Sequence, residues 1–152
     1  MERLALAVTI RPSRPDDGAS VVDIWRRAVD ATHEFLSSAD REAIAAEVAA
    51  FLPAAPLWLA VDDADRPSGF MLLNDSHMEA LFIDPRSHGR GIGRALVTHG
   101  LSLHPRMTTD VNEQNTRAME FYQHLGFVRT GRSERDSQGR PYPLIHLRFQ
   151  GR

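Results

Sequence analysis

Apolar side chains recur along this chain with two distinct periods, one fitting strands and the other helices. Residues 4–10 are almost continuously apolar and predict a first strand. Val21, Ile24, Trp25, Ala28 and Val29 then fall at helical spacing, and Asp16 or Asp17 is placed to cap the helix that they define. Residues 30–35 predict a loop. Ser37 or Ser38 introduces a second helix carrying Ile44, Val48, Phe51 and Leu52, which Pro53 ends. Residues 57–61 and 69–73 are apolar runs separated by the polar stretch 62–67, the pattern of an antiparallel hairpin. A third run, 78–83, stops at Asp84-Pro85. After a cluster of three glycines the helical period returns through Ala95, Leu96, Val97 and Leu101. Residues 107–111 read as a strand, and Asn115 as the cap of a helix that contains Ala118, Phe121, Tyr122 and Leu125. Residues 127–130 and 144–149 fit two final strands. The predicted order is βααβββαβαββ, an α/β fold whose first sheet half is antiparallel.

Composition narrows the class. The chain has 152 residues, 42% hydrophobic and 25% charged, which is ordinary for a globular domain, and one domain over 1–152 is the expectation. A chain of this length buries about 70% of the surface that its unfolded form exposes, so a core needs no staples. With no cysteine there is no disulfide framework, thiolate metal site or cysteine nucleophile, and a reducing compartment fits. The run 4–10 is too short for a membrane span and has no cleavage-site pattern after it, so a cytoplasmic protein without a membrane partner is expected. A formal net charge of −2 leaves no global positive field for nucleic acid. All 18 basic residues are arginine, whose fork suits phosphate, although genomic composition explains the bias equally well. His77, His99, His104, His124 and His146 show no metal-ligand spacing, and no metal is predicted.

The glycine cluster holds the first candidate chemistry. A strand running into a glycine-rich turn and then a helix offers free backbone N–H groups and a helix N-terminus, a generic anion site. Gly89, Gly91 and Gly93 do not have the dinucleotide spacing, because Arg94 stands where its last glycine is needed, and a chain without lysine cannot form a P-loop. A purely structural turn is the competing reading.

Residues 80–96 resemble the acetyl-CoA-binding motif of the GNAT family of N-acetyltransferases, Q/R-x-x-G-x-G/A, which aligns with His88, Gly91 and Gly93. His88 departs from the usual glutamine or arginine, and Arg86 is a possible source of the missing charge. Residues 112–127 resemble the family's second segment, N-x-x-A-x-x-F-Y-x-x-x-G-F, with Asn115, Ala118, Phe121, Tyr122, Gly126 and Phe127 in place. Trp25, His33, Phe35, Trp58 and Tyr142, with their neighbours, are similar to small bacterial acetyltransferases within that family.

The resemblance implies a GNAT fold, with a mixed sheet of about seven strands splayed between strands 4 and 5 and about four flanking helices. It implies acetyl transfer from acetyl-CoA to a primary amine on a small molecule or on a peptide or protein lysine, by a monomer or homodimer without a metal. Leu81, Phe82 and Ile83 are implied to meet pantetheine through their backbone, and His88, Gly89, Arg90, Gly91, Ile92, Gly93 and Arg94 the diphosphate. Asn115 is implied to reach the cofactor arm, and Phe121 to flank it. Tyr122 is the candidate acid, a phenol protonated at neutral pH. Glu79 and His33 are alternative bases. Trp25, His33, Phe35 and Tyr142 are candidates for the acceptor pocket, although Trp25 at an apolar helical position also reads as core. Two other readings stand beside the enzyme. One is a non-catalytic acyl-CoA-binding module, and the other is a toxin acting on charged tRNA, against which the net charge argues.

Overall fold

In a computed structural model that describes residues 8–32 and 35–151, the elements follow the predicted order. They are β1 (Thr9–Pro12), α1 (Gly18–Thr32), α2 (Ser38–Phe51), β2 (Trp58–Val61), β3 (Pro67–Asn74), β4 (His77–Ile83), α3 (Ile92–Leu103), β5 (Thr108–Asn112), α4 (Thr116–Leu125), β6 (Phe127–Ser133) and β7 (Leu144–Phe149). The strands form one seven-stranded sheet in the order β1-β2-β3-β4-β5-β7-β6. Short 3₁₀ turns precede α1, follow α2 and follow β4.

Several boundaries differ from the sequence reading. Of the run expected to form the first strand, 4–7 lie outside the described residues, and the strand continues to Pro12, which an edge strand tolerates because it needs no ladder donor there. Helix α1 runs on to Thr32 instead of breaking at Asp30, since no Gly or Pro interrupts 30–32. Met107 forms a turn to His104 O (3.1 Å), so β5 starts one residue late. Strand β6 extends to Ser133 through a bulge between Arg129 and Gly131.

The chain packs as two compact units. One ends at Leu72 and resumes over Ala80–His99; the other contains Leu73–Glu79 and the chain from Gly100 on. In the first unit, Val21, Ile24, Trp25 and Val29 of α1 form a core with Leu57, Leu59, Val61 and Phe70, and Phe82 packs against it. Each fully buried side chain of this size contributes roughly 1.5–3 kcal/mol. Ser37 caps α2 by accepting from Asp40 N (3.1 Å). Asp17, a candidate cap, closes the 3₁₀ turn before α1 by accepting from Arg14 N (2.7 Å), and Arg11 also holds it.

In the second unit, β5 pairs over its whole length with antiparallel β7, whereas its parallel ladder with β4 holds only His77↔Thr108 and Met78↔Thr109. Alternation gives this half-sheet two chemically different faces. Met78, Thr109, Val111, Ile145 and Leu147 are buried, while His77, Thr108, Asp110 and His146 are partly open to solvent.

Candidate active site

The site residues of the first unit lie on one continuous strand, turn and helix. Leu81 and Ile83 are half-buried, and Phe82 alone among the three packs on the α1 core. The strand ends at Asp84, which is buried, donates its N–H to Ser68 O (2.8 Å) and accepts from Arg86 N (3.0 Å). Arg27 of α1 reaches Asp84 with a two-pronged fork (3.2 and 2.8 Å), and Arg86 adds a second guanidinium (3.0 Å). Burial alone would raise the Asp84 carboxyl; the hydrogen bonds from Arg27 and Arg86 outweigh it and hold the pKa at about 2. Arg86, the residue suggested to replace the charge missing at His88, pairs with Asp84 while its side chain stays 71% exposed.

His88 itself is exposed, and its N–H donates to Pro85 O (3.2 Å). Gly89 and Gly91 have φ of +81° and +74°, a left-handed backbone that side chains other than glycine resist. Gly93 is different: it lies buried inside α3. Ala95 N bonds to Gly91 O (3.0 Å), so α3 starts directly at the turn. The N–H groups of Ile92, Gly93 and Arg94 belong to its first turn, where helices have no internal acceptor. A Cβ on Gly89 would meet nothing within 4 Å, and Arg90 and Arg94 are exposed beside it. N–H donors at the start of a helix, flanked by two exposed guanidinium groups, suit a diphosphate, so the residues present fit acetyl-CoA.

In the second unit, α4 carries the other signature. Asn115 caps it, its side-chain oxygen accepting from Ala118 N (3.1 Å), and Gly126 closes it at φ +112°. Phe121 is half-buried with its ring centroid 5.1 Å from that of Tyr122. Tyr122 is buried, 6% exposed, and its ring also meets Phe127. Burial pushes the phenol pKa well above its ordinary value, and a hydrogen bond with Thr109 opposes that only in part. The Thr109 hydroxyl also donates to Met78 O (2.9 Å), which ties this partner of Tyr122 to β4. Thr109 was invisible to sequence reasoning, because only the β5 register sets it beside Tyr122.

Glu79 is exposed on β4, one residue past the last β4–β5 pair. His33 lies outside the described residues. Among the acceptor candidates, Trp25 is 5% exposed within the first unit's core, which favours its packing role. Phe35 is half-buried in that unit, and Tyr142 is buried in the other. Among the described residues no three side chains form a metal-ligating group, and no helix is long and apolar enough to cross a membrane.

Comparison with known proteins agrees with this geometry. Residues 18–142 match the acetyltransferase (GNAT) domain family. The chain is 56% identical, over 93% of its length and 98% of the relative's, to the peptidyl-lysine N-acetyltransferase YjaB of Salmonella typhimurium. The Escherichia coli protein of the same name is 53% identical over 96% of this chain and 99% of its own. The solution structure of apo-form YjaB from Escherichia coli superposes with a TM-score of 0.93, covering 97% of this chain and 100% of that one at 53% identity.

Proposed function

The chain belongs to the GNAT acetyltransferase family and is an acetyl-CoA-dependent N-acetyltransferase; on that premise we propose that its acceptor is the ε-amine of lysine in a peptide or protein. The observation that carries the acceptor class is identity above one half, across nearly the whole chain, to two relatives named peptidyl-lysine N-acetyltransferases. The same relatives favour the enzyme over a non-catalytic acyl-CoA-binding module. The family match crosses both compact units, which supports treating them as one catalytic domain, and the bacterial relatives fit action in the cytoplasm.

Acetyl-CoA supplies the thioester carbonyl that the neutral amine attacks. The chain's part is to bind and orient. Backbone groups of Leu81, Phe82 and Ile83 hold the pantetheine arm, and the turn from His88 through Gly89, Arg90, Gly91, Ile92, Gly93 and Arg94 holds the diphosphate. Because the side-chain oxygen of Asn115 is occupied as the helix cap, its amide nitrogen is the group left for the arm. The family resemblance assigns Phe121 to the cofactor, and Phe35 and Tyr142 to the acceptor.

Tyr122 Oη stays protonated because burial raises its pKa. A thiol has a reference pKa near 8.5, well below that of such a phenol, so Tyr122 stabilises the leaving sulfur by donating a hydrogen bond rather than by releasing its proton. Glu79 or His33 takes the amine proton.

The test supplies acetyl-CoA with a lysine peptide, and separately with small polyamines, and follows free CoA together with acetyl-lysine by mass spectrometry. With no lysine in the enzyme, side-chain acetyl-lysine comes only from the acceptor. Turnover of the peptide is expected. Turnover of small amines alone would overturn the acceptor assignment. Glu79→Gln shifts the pH profile if Glu79 is the base, and His33→Ala does so if His33 is.

A further inference from the structure

The open face of the second unit's half-sheet carries a hydrogen-bonded chain that acetyl transfer as described leaves unused. Asp110 of β5 stands directly opposite His146 of β7, and His146 Nδ1 lies 2.6 Å from Asp110 Oδ1. On the far side of the imidazole, His146 Nε2 lies 2.7 Å from Ser133 Oγ. The other carboxylate oxygen of Asp110 faces His77 Nε2 (3.4 Å), whose Nδ1 is 2.7 Å from Thr108 Oγ1. The Asp110, His77 and His146 side chains are 33%, 30% and 35% exposed, so the chain is reachable from solvent.

Elementary hydrogen-bond accounting fixes the proton positions. A carboxylate only accepts, so His146 Nδ1 carries the hydrogen that it shares with Asp110. In the neutral ring Nε2 then holds a lone pair, and Ser133 Oγ must donate to it. The backbone is shaped for this meeting. Continuing the Arg129↔Leu147 register would set Thr130 opposite His146 and Arg132 opposite Leu144; the bulge sets Gly131 and Ser133 there instead. One extra residue thus turns Ser133 onto the histidine's face, and bulges commonly re-aim side chains in this way. Thr130, the residue left unpaired, is held by donating to His146 O (3.3 Å).

A hydroxyl bonded to a histidine base, with that base oriented by a carboxylate, is the arrangement of an activated serine nucleophile. We propose that Ser133, with His146 as its base and Asp110 as the positioning residue, is a second reactive site that takes the acyl group of small activated esters, separate from acetyl transfer to an amine. As Ser133 Oγ bonds to the ester carbonyl carbon, its proton passes to His146 Nε2. The carbon–oxygen bond to the aryl alcohol then breaks, and the alcohol leaves with that proton. Water, deprotonated by the same nitrogen, cleaves the acyl-serine and restores Ser133. The proposal stands on this cluster alone and does not depend on lysine being the acceptor above.

The test treats the whole chain with a fluorophosphonate probe and separately with p-nitrophenyl acetate, locating any adduct by peptide mass spectrometry. One adduct on Ser133 is expected. Ser133→Ala abolishes it while acetyl transfer to the lysine peptide continues. His146→Gln slows labelling about 100-fold, the usual contribution of a general base. Asp110→Asn, with its thermal midpoint retained, slows labelling comparably, and Asp110→Glu recovers part of the rate; a merely structural carboxylate would not separate labelling from stability. No adduct, an adduct on another residue, or equal labelling rates in wild type, His146→Gln and Asp110→Asn would each overturn the proposal.

Discussion

Replacing Asp84 with asparagine tests whether the buried ion pair stabilises the turn at the end of β4. The Asp84 side chain is 4% exposed and receives the fork of Arg27, so asparagine would turn an amide N–H₂ toward a guanidinium that can only donate. The carboxyl pKa drops from an ordinary 3.8 to about 2, and at 1.36 kcal/mol per unit this linkage is worth about 2 kcal/mol. A folded-state pKa below the unfolded value gives stability that is fully present above about pH 4 and lost as pH falls toward 2. Asp84→Asn should therefore lower the thermal midpoint by about 4–8 °C at pH 7 in a chain of this size. The gap between variant and wild type should shrink steadily between pH 4 and pH 2, although other carboxyls titrate there in both proteins. Arg27→Ala should cost more than Arg86→Ala, because the Arg86 side chain is 71% exposed and exposed pairs contribute little. Thermal and urea unfolding at a series of pH values provide the measurement. An Asp84→Asn midpoint equal to wild type at pH 7, or a gap unchanged between pH 4 and 2, would refute the argument.

Gly69→Ala would place a Cβ 2.8 Å from Ile83 Cδ1, 3.1 Å from Phe82 O and 3.2 Å from Ile92 Cγ2, and should destabilise by about 1–3 kcal/mol in urea unfolding. Tyr122→Phe should retain acetyl-CoA affinity by calorimetry and cost about 1 kcal/mol for the hydrogen bond lost to Thr109, while lowering kcat; an unchanged kcat would remove Tyr122 from the chemistry. Glu113→Ala breaks the ion pair with Arg132 (2.7 Å), but both side chains are well exposed, so chemical denaturation should register less than about 1 kcal/mol.

Element order was legible in the sequence because the buried stripes of α1, α3 and α4 and the apolar runs of β2, β3, β4 and β7 each follow one period. The turn at Gly89 and Gly91 was legible for the same local reason, since its left-handed backbone calls for glycine. Long-range polar pairing was not. Arg27 and Asp84 lie 57 positions apart, and neither residue announces the other. Strand β6 stands at the edge of the sheet, so 129–132 carry no apolar alternation to mark its second half. The bulge at Thr130 leaves no mark in a periodicity either, yet it decides which face Ser133 occupies. A shift of one residue exchanges the faces of every side chain beyond it. The histidines therefore read from the sequence as a scatter without ligand spacing, although the β5–β7 register sets Asp110 against His146 and the bulge brings Ser133 to the same ring. Local chemistry is written in adjacent residues, whereas a nucleophile, its base and its carboxylate drawn from three strands exist only once the register is fixed.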